Sequence, residues 1–440
     1  MSFGSLTNAT AHDVHPPLYY MILKIFILIF GNHGWVYHLV SFVPFALMMV
    51  VALTLIKKEF GTWASFILIT LCGTMNNAVY NIIEVRDYEW AALFMLLSFT
   101  YSFRLFNYKE DTSNLKKNAV LMTVFSLLAA YTFYFCIIAI ATVYIILMIY
   151  ALQNKAILKT VIGIWGATFL IYLPWCIVFF LTLKGNQGKI YSFNSVSLIS
   201  CIEDIFNTKF SYLILAIFII SSAVVLLFEK NKAQKIWTAS GILAFGTTTL
   251  IPYIISRINS PIFVSKHLYP AMIILWVLLA TNLSILPNVG RISIKPILIG
   301  LILFLTVPVG IWGLKTTLLE ERAITKKCNE FLNISQEMAL DESTVLLSNE
   351  DMISLGIGKY YYPDMERLFF DGTKENREQI KENLTSTIMM INQVDYDNSE
   401  EMLEYCQNLG YECEKIMERV FFGNYVVDLW KCTNSSLSHS

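Results

Sequence analysis

The sequence predicts an all-α polytopic membrane domain of about ten spans plus one interfacial helix, followed by a small C-terminal α/β soluble domain. Three observations carry this reading. Of 440 residues, 56% are hydrophobic and the mean hydropathy is +0.56, more apolar surface than one water-soluble core can hide. The apolar residues also come in blocks of ~20, the length that crosses ~30 Å of hydrocarbon, whereas barrel strands would alternate over ~10 residues. Finally, the net charge of -1 conceals a division along the chain. Residues 316–440 hold 23 acidic and 11 basic side chains, and residues 1–315 hold 10 and 21.

The expected spans are 36–56, 63–82, 88–106, 118–134, 136–152, 160–183, 209–228, 236–256, 267–285 and 296–315. Lys57 and Lys58, Lys109, Lys116 and Lys117, Lys155 and Lys159, Lys230, Lys232 and Lys235, and Arg291 and Lys295 recur in alternate loops. Short basic loops stay in the cytoplasm, which fixes the orientation expected here. The opposite, external face receives residues 1–35, the turn at 83–88, the loops 184–209 and 256–266, and the tail. Residues 16–31 are apolar but short for a span, and Pro16 and Pro17 suit a helix start. They read as a helix lying at the outer interface. The alternative, a tilted span, would invert every later loop. The segment 1–11 reads as the end of a loop.

Two domains follow, 1–315 in the membrane and 316–440 outside it. In the second, short apolar runs (STVLLS, LFF, TIMMIN, GNYVVDLWKC) alternate with polar helical stretches such as SEEMLEYCQNLG, the pattern of a small α/β domain. It holds no glycine-rich phosphate loop, nucleophile elbow or metal motif. Cys72, Cys136 and Cys176 lie in apolar blocks, where a thiol packs as a small hydrophobe. The absence of CxxC spacing argues against zinc, and a disulfide in an external tail is left open.

Three polar strings stand out, all on the expected external face. His12-Asp13-Val14-His15-Pro16-Pro17-Leu18-Tyr19-Tyr20 packs a carboxylate, two imidazoles, two prolines and two tyrosines at the lip of the membrane. That is a base, hydrogen-bond donors and a rigid turn to hold them. The alternatives are a weak metal site at His12, Asp13 and His15, or groups that only wet a helix start. Glu84, Arg86, Asp87, Tyr88 and Glu89 follow between two spans, where charges tend to pair or to line a cavity. Arg86 either pairs with Glu84 or grips a phosphate with its planar fork. The third string, RINSPIFVSKHLYP from Arg257 to Pro270, sets Lys266 and His267 at the mouth of a span. These groups bind an anionic headgroup or serve as snorkelling anchors.

The strings DVHPPLYY (Asp13 to Tyr20), EVRDYEWA (Glu84 to Ala91) and SPIFVSKHLYPA (Ser260 to Ala271) together resemble the GT-C superfamily of integral membrane glycosyltransferases. The likeness is to the bacterial branch related to protein O-mannosyltransferases and lipid A aminoarabinose transferases. It covers most of residues 1–315. The resemblance implies an inverting transfer of a hexosyl or pentosyl group from a polyprenyl-phosphate sugar to an external glycan, lipid or protein, at the cell membrane. Asp13 and His15 match the Asp-x-His-Pro-Pro element, and Arg86 and Tyr88 match an Arg-x-Tyr element. Lys266 and His267 stand where Arg-Tyr is usual, which keeps charge but loses the bidentate fork.

Asp13 is accordingly the first choice of catalytic base, with Glu84 and Asp87 the second-choice acids; His15, Arg86, Tyr88, Lys266 and His267 are expected to hold the donor phosphate. No cofactor is called for, a divalent metal stays an open alternative, and membrane lipid is a partner where nucleic acid is not. The family pattern places a transmembrane helix and an acidic pair ahead of the His-Pro-Pro element. This chain starts after both and so reads as an N-terminally truncated form. The competing readings are a lipid-linked sugar flippase, which would set polar groups near the bilayer midplane, and a non-catalytic membrane subunit.

Overall fold

In the structure, a computed structural model, the described residues are all but 1–2, 12–14, 110–111, 186–197, 199–202, 204, 207–209, 259–262, 287–293, 340–343, 351–353, 359–360, 395–397, 423–424 and 435–440. The chain divides into two compact units, Met1–Leu314 and Lys315–Ser440.

The first unit is helical. Its elements are α1 (Phe3–Ala11), α2 (Leu18–Phe30), α3 (Gly34–Phe60, with a π turn at Ala52–Ile56), α4 (Thr62–Thr74), α5 (Asn76–Ile83), α6 (Tyr88–Phe106), α7 (Thr112–Thr132), α8 (Phe135–Gln153), α9 (Lys155–Gly185), α10 (Ser211–Phe228), α11 (Lys232–Ile258), α12 (Tyr269–Ile285) and the part of α13 (Ile294–Ala339) up to Leu314. Among the described residues seven helices are long and apolar enough to cross a membrane, and the chain is a multi-pass membrane protein. The other three expected blocks are helical too. Polar and charged residues such as Glu89 and Arg104 dilute α6, and α7 begins with a polar turn bearing Lys116 and Lys117.

Three details differ from the sequence reading. The segment before His12 is a helix rather than the end of a loop: Thr7 and Thr10 return their hydroxyls to the carbonyls of Phe3 and Leu6, at 3.0 and 3.1 Å. The block 63–82 is broken at Met75, whose backbone is extended (φ -71°, ψ 128°); the weak helix formers Gly73, Thr74, Asn76 and Asn77 flank the break. The last apolar helix runs on to Ala339, because residues after Lys315 offer a buried face, with Phe331 and Ser335, to the core of the second unit. A tight turn joins α3 to α4 through Gly61, whose φ of +89° suits only glycine without strain.

Two helices form the centre of the membrane unit. Every residue of α12 from Tyr269 to Ser284 is buried, and so is α6 apart from Trp90 and Arg104. Such helices, buried on every side, are enclosed by other helices. α11 holds them together: its Gly241 lets Leu278 and Ile274 of α12 and Phe99 of α6 come so close that an added Cβ would sit 2.6 Å from two of them. Trp237 of α11 donates Nε1–H to the Phe99 carbonyl at 2.8 Å. Asn282 of α12 accepts from Thr238 at 3.1 Å and donates to Ser222 of α10 at 3.2 Å, so these buried amide and hydroxyl groups satisfy one another.

The second unit carries a five-stranded mixed sheet in the order β2-β1-β3-β5-β4, formed by β1 (Thr344–Ser348), β2 (Arg367–Phe369), β3 (Thr387–Gln393), β4 (Glu412–Phe422) and β5 (Tyr425–Thr433). β1 runs parallel to β2 and β3, and β5 antiparallel to β3 and β4. Helices α14 (Lys374–Asn383) and α15 (Ser399–Asn408) separate the later strands. Side chains of β3 alternate between two cores: Met389 and Ile391 join Phe331 of α13, and Ile388 and Met390 join Ile380, Met402 and Cys406 of the later helices. The four expected apolar runs all enter this sheet; the charged edge strand β4 was not among them. Cys413 and Cys432, opposite each other on β4 and β5, form a disulfide.

Candidate active site

The two central helices begin at the polar strings. Arg86 and Asp87 immediately precede α6, whose first residue is Tyr88, and Lys266 and His267 lie in a short 3-10 turn (Ser265–Leu268) that runs straight into α12. The first N–H groups of a helix have no partner within it and carry partial positive charge, so both starts favour an anion.

α3 holds the loop between α5 and α6. Ser41 donates its hydroxyl to the Glu84 carbonyl at 2.8 Å, His38 Nδ1 lies 2.9 Å from the Ile83 carbonyl, and Trp90 Nε1 donates to the Val40 carbonyl at 2.9 Å. Within the loop, Arg86 Nε lies 3.4 Å from Glu84 Oε1, so the pairing left open by the sequence is formed. Both side chains remain partly exposed. Burial works against the Arg86 charge, yet Glu84, Tyr88 and Asp87 together hold its pKa above the ordinary value.

Asp87 is 4% exposed. Burial raises its carboxyl to about 6, while the charges of His15 and Arg86 act in the opposite direction. Its Oδ2, like Glu84 Oε2, meets no hydrogen-bond partner among the described residues. Tyr19, also buried, lies near enough to feel the charges of Asp87 and Arg86, and Tyr20 near enough to influence Arg86. The first string thus meets the second.

The third string arrives through His267. Its ring centroid lies 6.3 Å from that of Tyr88, 5.7 Å from Phe133 and 5.3 Å from Phe135. The Phe133–Tyr88 separation is 5.4 Å. Three aromatic rings therefore surround the imidazole, Phe133 from the turn between α7 and α8 and Phe135 from the first position of α8. Lys266 precedes His267; its carbonyl accepts the N–H of Tyr269, and its side chain enters none of the ion pairs among the described residues.

His15, Glu84, Arg86, Asp87, Tyr88 and His267 are thus brought together from three strings well separated along the chain. Asp13, the first-choice base, and His12 lie outside the described residues, and the metal reading of His12, Asp13 and His15 falls there too. Among the described residues no group of three metal-ligating side chains is found. Sequence reasoning missed Ser41, His38, Phe133 and Phe135. His38 and Ser41 stand one helical turn apart on a span, which is a weak signal; two phenylalanines beside an apolar turn give none.

No family model matches the chain, and no curated protein matches it in sequence. Solved structures do. ArnT from Cupriavidus metallidurans in the apo state aligns with a TM-score of 0.59 at 11% identity, over 94% of this chain and 87% of that one. The same protein bound to undecaprenyl phosphate aligns with a TM-score of 0.59 at 11% identity, over 97% and 89%. Over most of its length this chain has the ArnT-like GT-C fold of a polytopic membrane protein.

Proposed function

We propose that this protein is a membrane glycosyltransferase that moves a sugar from a polyprenyl-phosphate donor to a hydroxyl of an extracytoplasmic acceptor, with inversion at the anomeric carbon. The observation that carries this reading is the meeting of a buried carboxylate, Asp87, with His15, Arg86, Tyr88 and His267 at the starts of two enclosed helices. A structural neighbour of the same fold was solved with undecaprenyl phosphate, which supports a lipid phosphate as the donor's anchor.

In this reading Asp87 accepts the proton of the acceptor hydroxyl as its oxygen attacks the anomeric carbon. The bond from that carbon to the phosphate oxygen breaks, and its electron pair stays on the lipid phosphate. Arg86, Lys266, His267 and the two helix starts stabilise the developing negative charge, and their effect is larger in a partly dry site than in water. A carboxylate with a pKa of about 6 is ionised at neutral pH and basic enough to help. His15 holds Asp87 ionised. Asp13, the base expected from the sequence, lies outside the described residues, and Asp87 takes the role in this reading on the strength of its own burial and neighbours.

The Cys413–Cys432 disulfide supports an extracytoplasmic second unit, because such bonds persist in oxidising compartments. The flippase reading gains nothing from the helix core, where the amide of Asn282 is paired with neighbouring hydroxyls.

The test is reconstitution of the purified chain in lipid vesicles with a radiolabelled polyprenyl-phosphate sugar and extracted envelope acceptors. Transfer that Asp87→Asn and Arg86→Ala abolish is expected. Transfer at the original rate in both variants would remove these residues from the mechanism.

A further inference from the structure

The carboxyl of Glu89 has no evident place in this chemistry. The residue is wholly buried (0% exposed) in the first turn of α6. Its Oε1 accepts the hydroxyl of Tyr269, the first residue of α12, at 2.6 Å, and no cation pairs with it among the described residues. Leaving a carboxyl in such surroundings without a cation is costly, and an apolar residue of similar volume would pack there at less expense. Its place in the chain suggests what it does instead. Glu89 follows Tyr88 directly, and Tyr269 stands two residues after His267.

We propose that Glu89 and Tyr269 are a positioning pair that fixes the distance between the two segments gripping the donor phosphate, Arg86 to Tyr88 on one side and Lys266 with His267 on the other. This inference rests on the proposed phosphate site. Both ends of the bond are anchored. The Tyr269 ring packs edge-on against Trp276 at 5.9 Å, and Trp276 donates Nε1–H to the Ile205 carbonyl at 3.0 Å. α6 is tied by Trp90 to α3 and by its Phe99 carbonyl to α11. Other buried polar groups of the two helices bond elsewhere, Ser98 to Ser126 and Asn282 to Thr238 and Ser222, and the apolar cluster that α6 and α12 share holds them together but sets their axial register weakly. A directional hydrogen bond at the site end supplies that register, and with it the 6.3 Å spacing of Tyr88 and His267.

The experiment compares Glu89→Gln, Glu89→Leu, Tyr269→Phe and the Glu89→Leu/Tyr269→Phe double variant with the unaltered protein. Two readouts are taken: direct binding of undecaprenyl phosphate to the purified full chain in detergent, and the dependence of transfer rate on donor concentration. Glu89→Leu and Tyr269→Phe should each weaken binding and raise the donor KM by about ten-fold, with kcat moving less, since ångström-scale misplacement costs affinity at a rigid site. Glu89→Gln keeps an accepting oxygen and should regain most of what Glu89→Leu loses. The double variant should be no worse than the worse single one, because both remove the same bond.

Tyr269→Phe deletes one oxygen and leaves the packing intact, so it decides the matter if Glu89→Leu does not fold. Tyr269→Phe with unchanged binding and KM overturns the proposal. So does Glu89→Gln as impaired as Glu89→Leu, which would assign the acid itself a chemical role, or a loss confined to kcat. Failure of the unaltered chain to bind undecaprenyl phosphate or transfer sugar would instead overturn the reading of the site, whatever the variants do.

Discussion

Replacing Asp87 by Asn should make the protein more stable and nearly inactive at once. The carboxyl is buried, and its pKa moves from an ordinary 3.8 to about 6. Below pH 3.8 it is neutral whether the chain is folded or not, and it costs the fold nothing. As pH rises, the unfolded chain ionises first, so the folded state loses ground until the pH passes about 6, and above that the loss is constant. The whole gap is worth ~3 kcal/mol, an order-of-magnitude figure. Asn cannot ionise, so the variant should equal the unaltered protein in stability near pH 4 and exceed it by up to ~3 kcal/mol at pH 8. Loss of a general base should lower transfer by ~10²- to 10⁴-fold. Unfolding of both proteins in one detergent, followed at several pH values beside the transfer rate, measures the two effects together. A stability difference that does not grow between pH 4 and pH 7 would refute the buried-carboxylate reasoning, and a fully active Asp87→Asn would refute its catalytic use.

Further consequences are open to simpler tests. With Asp87 as the base, kcat/KM of the unaltered protein should fall as pH drops through about 6, tenfold per pH unit once well below it; a flat profile from pH 5 to 8 would contradict this. Arg86→Lys keeps a charge but loses the planar fork, so the donor KM should rise several-fold, while Lys266→Arg should lower it; steady-state kinetics reads both. Gly241→Ala places a methyl 2.6 Å from Leu278 and Phe99 and should cost ~1 to 3 kcal/mol by overpacking, seen as a lower unfolding temperature. Cys413→Ser opens a link of sequence separation 19 and should destabilise the second unit by ~3 kcal/mol. In intact cells, a maleimide should label the unaltered pair only after reduction.

Much of the membrane fold was legible because lipid imposes a simple rule: a block of ~20 apolar residues must become a helix. The break at Met75 was harder to see, since no proline or charge marks it and the interruption comes from weak helix formers in an apolar context. The helix at Phe3–Ala11 was hidden by its Ser and Thr content, residues that normally favour turns but here bond back to their own helix. In the tail, β1, β3 and β5 are nearly continuous apolar runs and could be read, whereas β4 has its charged residues facing out at a sheet edge and resembles a polar stretch. The candidate site is legible in the sequence only as charge beside hydrocarbon, at Glu84 to Glu89 and at Lys266 and His267. The parts that only shape it, Ser41 and the rings of Phe133 and Phe135, carry no such signature. Their roles come from which helices become neighbours, and pattern along the chain does not encode that.

The most direct measurement is photo-crosslinking of the purified chain with a polyprenyl phosphate carrying a photoreactive group next to the phosphate, followed by peptide mapping. The account predicts adducts in three remote peptides, those containing Tyr19 and Tyr20, Arg86 to Tyr88, and Lys266 with His267, all suppressed by excess undecaprenyl phosphate. Adducts spread over the lipid-facing residues of α9 and α10, or confined to one of the three strings, would contradict it.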